Sequence, residues 1–131
     1  MQDSIFTKII KGEIPAYKIF ENEDCLAFLD IHPIQPGHTL VIPKKQIEFV
    51  WELQNEDYIK LMNAVKLVAN RLKELMDTRY VGMQVVGLDV PHAHVSVIPF
   101  NTIEEFRAFQ DMSRQPDESY FEKLANKLMF K

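Results

Sequence analysis

Cysteine is almost missing from this chain, occurring once in 131 residues, at Cys25. A lone cysteine closes no internal disulfide and offers no zinc spacing, so its expected role is a small buried side chain. No apolar run approaches the ~20 residues that a membrane-spanning helix needs. The opening Met1-Gln2-Asp3-Ser4 has no basic segment followed by an apolar one, so no secretory signal is expected and the reducing cytoplasm is the expected compartment. Excess positive charge is lacking as well. The formal net charge is −4, which argues against nucleic-acid binding driven by overall charge and leaves room for a local pocket that takes one small anion. There is no internal repeat and no low-complexity tract.

What is present is globular. The content is 47% hydrophobic and 26% charged, and a chain of this length forms one domain, residues 1–131, with a real core. Ser4 is placed to cap a short helix on which Ile5, Phe6 and Ile9 are the apolar residues, and Gly12 and Pro15 end it. Strand-like runs at 17–20 and 25–30 flank Glu21-Asn22-Glu23-Asp24, a hairpin turn. Asp30 closes the second run. A carboxylate there is either a turn former or an acceptor for sugar hydroxyls. The Pro- and Gly-containing loop that follows carries His32, expected to face solvent, and leads into a third strand at 38–43 that begins with His38.

Residues 46–53 read as a short helix and 55–76 as a long one, with Asn55 as its cap. The apolar stripe of the long helix, from Tyr58 through Leu61, Val65, Val68 and Leu72 to Leu75, recurs near 3.6 residues. Arg71 falls on its polar face, expected to be solvated. A fourth strand at 80–86 and a fifth at 90–100 are joined by Gly87-Leu88-Asp89, short enough for a hairpin loop. Capped helices are expected at 102–110 and 118–129. Strands before and after one long helix, with short links, predict an α+β fold with a mainly antiparallel five-stranded sheet and short flanking helices.

The stretch that carries chemistry is Val90-Pro91-His92-Ala93-His94-Val95-Ser96. It holds two of the four histidines. If the strand spans 90–100, alternation puts His92, His94 and Ser96 on one face. Such a face is a poor core, because an unpartnered buried imidazole or hydroxyl costs roughly 1–3 kcal/mol. His38 joins this face if its strand is a neighbour, and Gln84 on the fourth strand is a candidate for the same pocket. A metal site built from His38, His92 and His94 is a legitimate reading of these residues, although Ser96 and Asp30 complete it poorly.

These residues resemble the histidine triad (HIT) family, in its small branch of nucleotide-binding hydrolases and transferases. The likeness rests on Ile5-Phe6 through Gly12-Glu13-Ile14-Pro15, on Cys25-Leu26-Ala27-Phe28-Leu29-Asp30-Ile31, on Pro36-Gly37-His38-Thr39-Leu40-Val41-Ile42-Pro43-Lys44, and on Val90-Pro91-His92-Ala93-His94. It spans residues 4–100; 101–131 form a helical C-terminal extension outside it. The resemblance implies a homodimer whose sheet pairs with a second copy, a purine nucleotide as ligand, and no metal or other cofactor. It implies that His94 is the nucleophile at the α-phosphate, oriented by the backbone carbonyl of the third triad position. It implies that His92 and His38 line the site and that Asp30 binds the ribose. Ile5, Phe6, Ile9, Phe28 and Leu40 match positions around the base, and Gln84 a position near the phosphate. Two departures stand out: Ser96 occupies the third histidine's place, and the loop before the motif is short. The expected activity is cleavage of a nucleoside phosphoramidate or related nucleotidyl substrate. The alternative is a purine nucleotide binder with little turnover, because Ser96 cannot be cationic.

Overall fold

The computed structural model describes residues 2–130. Its centre is a five-stranded, fully antiparallel sheet in the order β1-β2-β3-β5-β4, formed by β1 (Lys18–Glu21), β2 (Cys25–Leu29), β3 (Thr39–Pro43), β4 (Tyr80–Gln84) and β5 (Val95–Phe100). The β1–β2 turn is closed by Asn22, whose Oδ1 accepts from the Asp24 and Cys25 amides at 2.9 and 2.8 Å. Asn is favoured there because its side chain replaces a backbone acceptor.

Alternation along the strands divides the apolar residues between two faces. Ala27, Leu29, Val41, Val95 and Val97 pack with Leu61, Ala64, Val65, Val68 and Leu72 of the long helix α2 (Asn55–Leu75). Leu26, Phe28, Leu40 and Ile42 turn the other way and meet Phe6 and Ile9 of α1 (Ile5–Ile10). The sheet is therefore a partition, with the larger core under α2 and a smaller one under α1. Gln54, not Asn55, is the cap residue of α2.

After β5 the chain makes α3 (Ile103–Phe106) and α4 (Glu118–Leu128). Phe121, Ala125 and Leu128 of α4 complete the larger core. The extension is thus part of the packed body. Arg71, expected on a solvated face, instead donates from Nε and Nη2 to the carbonyls of Leu128 and Met129 at 3.0 and 2.9 Å, satisfying the open end of α4.

Several boundaries differ from the sequence expectation. Residues 46–53 hold only a 3₁₀ turn, Val50–Glu52, and leave Trp51 74% exposed. The helix expected over 102–110 stops at Phe106. That ring lies so close to β4 that a Cβ on Gly82 would sit 2.7 Å from it, so packing sets where the helix ends. Most consequentially, β4 ends at Gln84 and β5 starts at Val95, so residues 85–94 are a broad loop where a tight hairpin was expected. Pro91 has no amide for a strand ladder and restricts Val90. The His92 amide instead closes a tight turn onto the Val90 carbonyl at 2.8 Å. Among the described residues, no helix is long and apolar enough to cross a membrane.

Leu72 is fully buried between α2 and the sheet. Leu72→Ala is expected to cost about 2–5 kcal/mol of stability through lost burial and the cavity left behind, measured as a lowered urea midpoint.

Candidate active site

His92 and His94 lie where α1, the end of β3 and the 85–94 loop meet, and His38 sits ahead of the first residue of β3. His92 and His94 lie in that loop, just ahead of β5, and not within a strand as the alternation argument assumes. The polar alternation belongs to a loop that the Val90–His92 turn directs back over the sheet.

His92 is completely buried. Its Nε2 lies 2.8 Å from the Pro43 carbonyl and its Nδ1 2.8 Å from Ser4 Oγ. A carbonyl only accepts, so Nε2 carries the proton, and Nδ1 accepts the Ser4 hydroxyl hydrogen. Ser4 Oγ in turn accepts the Thr7 amide at 3.0 Å as the helix cap. Gln46 Oε1 accepts from the Ser4 amide at 2.7 Å and from the Thr7 hydroxyl at 2.6 Å. One imidazole thus ties the start of α1 to the end of β3. Burial holds its pKa below the ordinary histidine value, the Pro43 carbonyl partly offsets this, and His94 lowers it again.

His94 is half-buried, with Nδ1 2.8 Å from the carbonyl of His92. That nitrogen must be the donor, which leaves Nε2 with its lone pair. The orienting carbonyl is therefore that of His92, two residues back. This corrects the expectation that the Ser96 position supplies it, and the cause is the turn that carries the His92 carbonyl round to the ring. The edge of Phe6 braces both imidazoles, with centroids 5.8 Å from His92 and 5.3 Å from His94.

Ser96 is buried on β5, opposite Leu40 on one side and Gln84 on the other. Directly paired residues project to the same face, so Leu40, Ser96 and Gln84 form a row across three strands on the α1 side. Phe28 continues it, paired with Leu40. Phe6, Ile9, Phe28 and Leu40 are brought together in the smaller core, whereas Ile5 points outward and is 50% exposed.

His38 is buried just before β3. Its Nδ1 accepts the Ile34 amide at 3.0 Å, so on a neutral ring Nε2 carries the proton. Among the described residues that Nε2–H has no hydrogen-bond partner, and Asp30 Oδ2 stands 3.7 Å away. Burial lowers the His38 pKa, Asp30 pulls it partly back, and His94 lowers it further. Asp30 accepts the His32 amide on Oδ1 at 2.8 Å and Gln110 Nε2 on Oδ2 at 3.0 Å. His32 is half-buried rather than solvent-facing, its backbone engaged on both sides.

Both nitrogens of His92 are committed, which removes a ligand from the His38–His92–His94 metal reading. Among the described residues, no group of three or more His, Cys, Asp or Glu side chains could hold a metal ion. Sequence reasoning missed Gln46, the Pro43 carbonyl, Gln110 and the second role of Ser4. The cap signal at Ser4 was legible; its imidazole partner 88 positions away was not.

The site is a pair of tautomer-fixed imidazoles set against the small apolar core that an antiparallel sheet packs under α1. The HIT domain profile matches residues 11–103. An uncharacterized HIT-like protein of Borreliella burgdorferi is 39% identical over 106 residues, 76% of each chain. The adenosine 5′-monophosphoramidase of Schizosaccharomyces pombe is 38% identical over 96 residues, 72% of each. A HIT-like protein from Bartonella henselae, described as involved in cell-cycle regulation, superposes with a TM-score of 0.84 at 29% identity, covering 96% of this chain and 93% of that one. The chain belongs to the HIT family.

Ser4→Ala removes both the helix cap and the donor to His92. A loss of about 1–3 kcal/mol is expected, combining cap and unsatisfied-imidazole costs, read from urea unfolding. A second outcome follows from pH. His38 and His92 have lowered folded-state pKa values, so below about 6.5 the unfolded chain binds more protons than the native one. The stability they contribute is full above that pH and is lost as pH falls. The thermal midpoint is expected to drop between about pH 7 and pH 5; a flat or rising midpoint across that window refutes this.

Proposed function

We propose that the protein is a nucleotidyl hydrolase or transferase that cleaves at the α-phosphate of a purine nucleoside phosphoramidate or related substrate. The observation that carries this reading is the 2.8 Å contact of His94 Nδ1 with the His92 carbonyl. It holds the half-buried ring as the tautomer whose Nε2 lone pair is available, and a neutral imidazole is nucleophilic near pH 7. In the proposed reaction that lone pair forms a P–N bond to the α-phosphorus while the bond to the leaving group breaks. The leaving amine or oxygen takes up a proton. Water then attacks phosphorus, releasing the nucleoside monophosphate and restoring neutral His94.

The other residues take roles in keeping with their surroundings. Phe6, Ile9, Phe28 and Leu40 offer an apolar wall for the base, with Ile5 at its open edge. Asp30 is the acceptor for ribose hydroxyls. Gln84 and Ser96 pair directly across β4 and β5, and in this reading they donate to phosphate oxygens, where developing charge needs donors. His92 acts as the ring's anchor, and His38 supplies the unpartnered Nε2–H beside Asp30.

We further propose that the chain works as a homodimer through the β4 edge of the sheet. That edge carries exposed Tyr80 and Met83 beside an apolar cleft of about 250 Å³ lined by Met62, Val65, Val81 and Val97. A cytoplasmic setting fits Cys25, whose buried thiol has its pKa pushed up to about 11 by desolvation and is correspondingly unreactive.

Ser96 favours a second reading, a nucleotide-binding protein with little turnover. A hydroxyl at the third position donates one hydrogen bond but carries no positive charge. If that position protonates the leaving group, its loss costs on the order of 10² in rate. The deciding experiment follows AMP release from adenosine phosphoramidate in wild type, His94→Ala and Ser96→His. Turnover that vanishes in His94→Ala supports the enzyme. Binding of AMP without turnover in wild type, with turnover restored by Ser96→His, supports the binder. Full turnover in His94→Ala defeats the nucleophile assignment.

A further inference from the structure

Gln110 lies beyond the family match, which ends at residue 103, yet its side chain reaches the centre of the sugar-binding proposal. Its Nε2 donates one hydrogen to Asp30 Oδ2 at 3.0 Å and the other to the His32 carbonyl at 2.7 Å. Asp30 Oδ1 already accepts the His32 amide. Each carboxylate oxygen thus already accepts one donor, and the carboxamide contends with a sugar hydroxyl for Oδ2. Resting on the assignment of Asp30 to the ribose, we propose that Gln110 is an internal competitor for the ribose diol, so that this chain discriminates weakly between hydroxylated and deoxygenated sugars.

Two observations make the contact displaceable. The neighbours of Gln110 stay in solvent, with Phe109 96% and Met112 66% exposed, so hydrogen bonds rather than apolar burial hold this side chain on the loop. The segment also remains attached independently at its start, where Gln35 Nε2 donates to the Glu105 carbonyl at 3.0 Å. Gln110 can leave Asp30 while residues before it stay docked. Because the competitor is on the same chain, it acts at a high effective concentration that dilution does not reduce.

The thermodynamic consequence is specific. A ribonucleotide gains its bonds to Asp30 and loses those of Gln110 to the same carboxylate. A 2′,3′-dideoxynucleotide leaves Gln110 in place and loses nothing. The ratio of the two dissociation constants is thereby compressed in wild type. Removing the donor while keeping the shape, in Gln110→Met, restores it.

The test is calorimetric titration of AMP and 2′,3′-dideoxy-AMP into wild type, Gln110→Met, Gln110→Ala and Asp30→Ala. The preference for AMP is expected to rise about tenfold in both Gln110 variants, the scale of one charge-assisted hydrogen bond, and to disappear in Asp30→Ala. In the Asp30→Ala background Gln110→Met is expected to change nothing. An unchanged or reduced preference in Gln110→Met overturns the proposal, as does a rise confined to Gln110→Ala, which reports shape alone. If AMP binds with an affinity sensitive to Asp30 while the ratio ignores Gln110, this inference fails and the nucleotide reading stands. If wild type binds neither ligand, both fall.

Discussion

A neutral imidazole sealed from water, with a donor on one ring nitrogen and an acceptor on the other, is the constraint on which this site depends. His92 meets both needs with groups from distant parts of the chain, the Ser4 hydroxyl and the Pro43 carbonyl. Leaving either unmet would cost about 1–3 kcal/mol in so dry a place, so α1, the end of β3 and the 85–94 loop are held in one arrangement. The same loop turn presents the His92 carbonyl to His94 and sets its tautomer. Position and protonation of the His94 ring thus follow from one buried residue that itself offers no free nitrogen.

The sheet does the rest by separating two environments. Its α2 face is packed with aliphatic side chains and carries the stability. The opposite face is covered by α1 and keeps the row of Phe28, Leu40, Ser96 and Gln84 at adjacent register positions. Apolar and polar groups meet there in one line, which suits a ligand with a flat apolar end and an anionic end. The core under α2 and the row under α1 use alternate residues of the same strands.

Much of this was readable from the chain. Apolar runs bounded by turn residues located the five strands, a 3.6-residue stripe the long helix, and Ser4 announced the first turn as a cap. The histidines stand out because polar residues among β-branched ones resist a packing explanation. The reading failed where a local turn overrode the strand pattern or a long-range contact decided the outcome. The fifth strand began later than expected because Pro91 and the Val90–His92 turn take the chain out of the ladder. The third helix stopped early because Phe106 is drawn against Gly82. Arg71 left its solvated face for the carbonyls of α4.

Local pattern, which depends on residues a few positions apart, determined the α+β class and the order of elements, while the resemblance to the HIT family grouped His38, His92, His94, Ser96 and Asp30. Tertiary structure alone decided which nitrogens of His92 are occupied and that Gln110 rests on Asp30. Those outcomes depend on hydrogen bonds that span up to 88 positions. Their directionality and length are satisfied only after the sheet and α1 have closed around them, so no local run of residues encodes them.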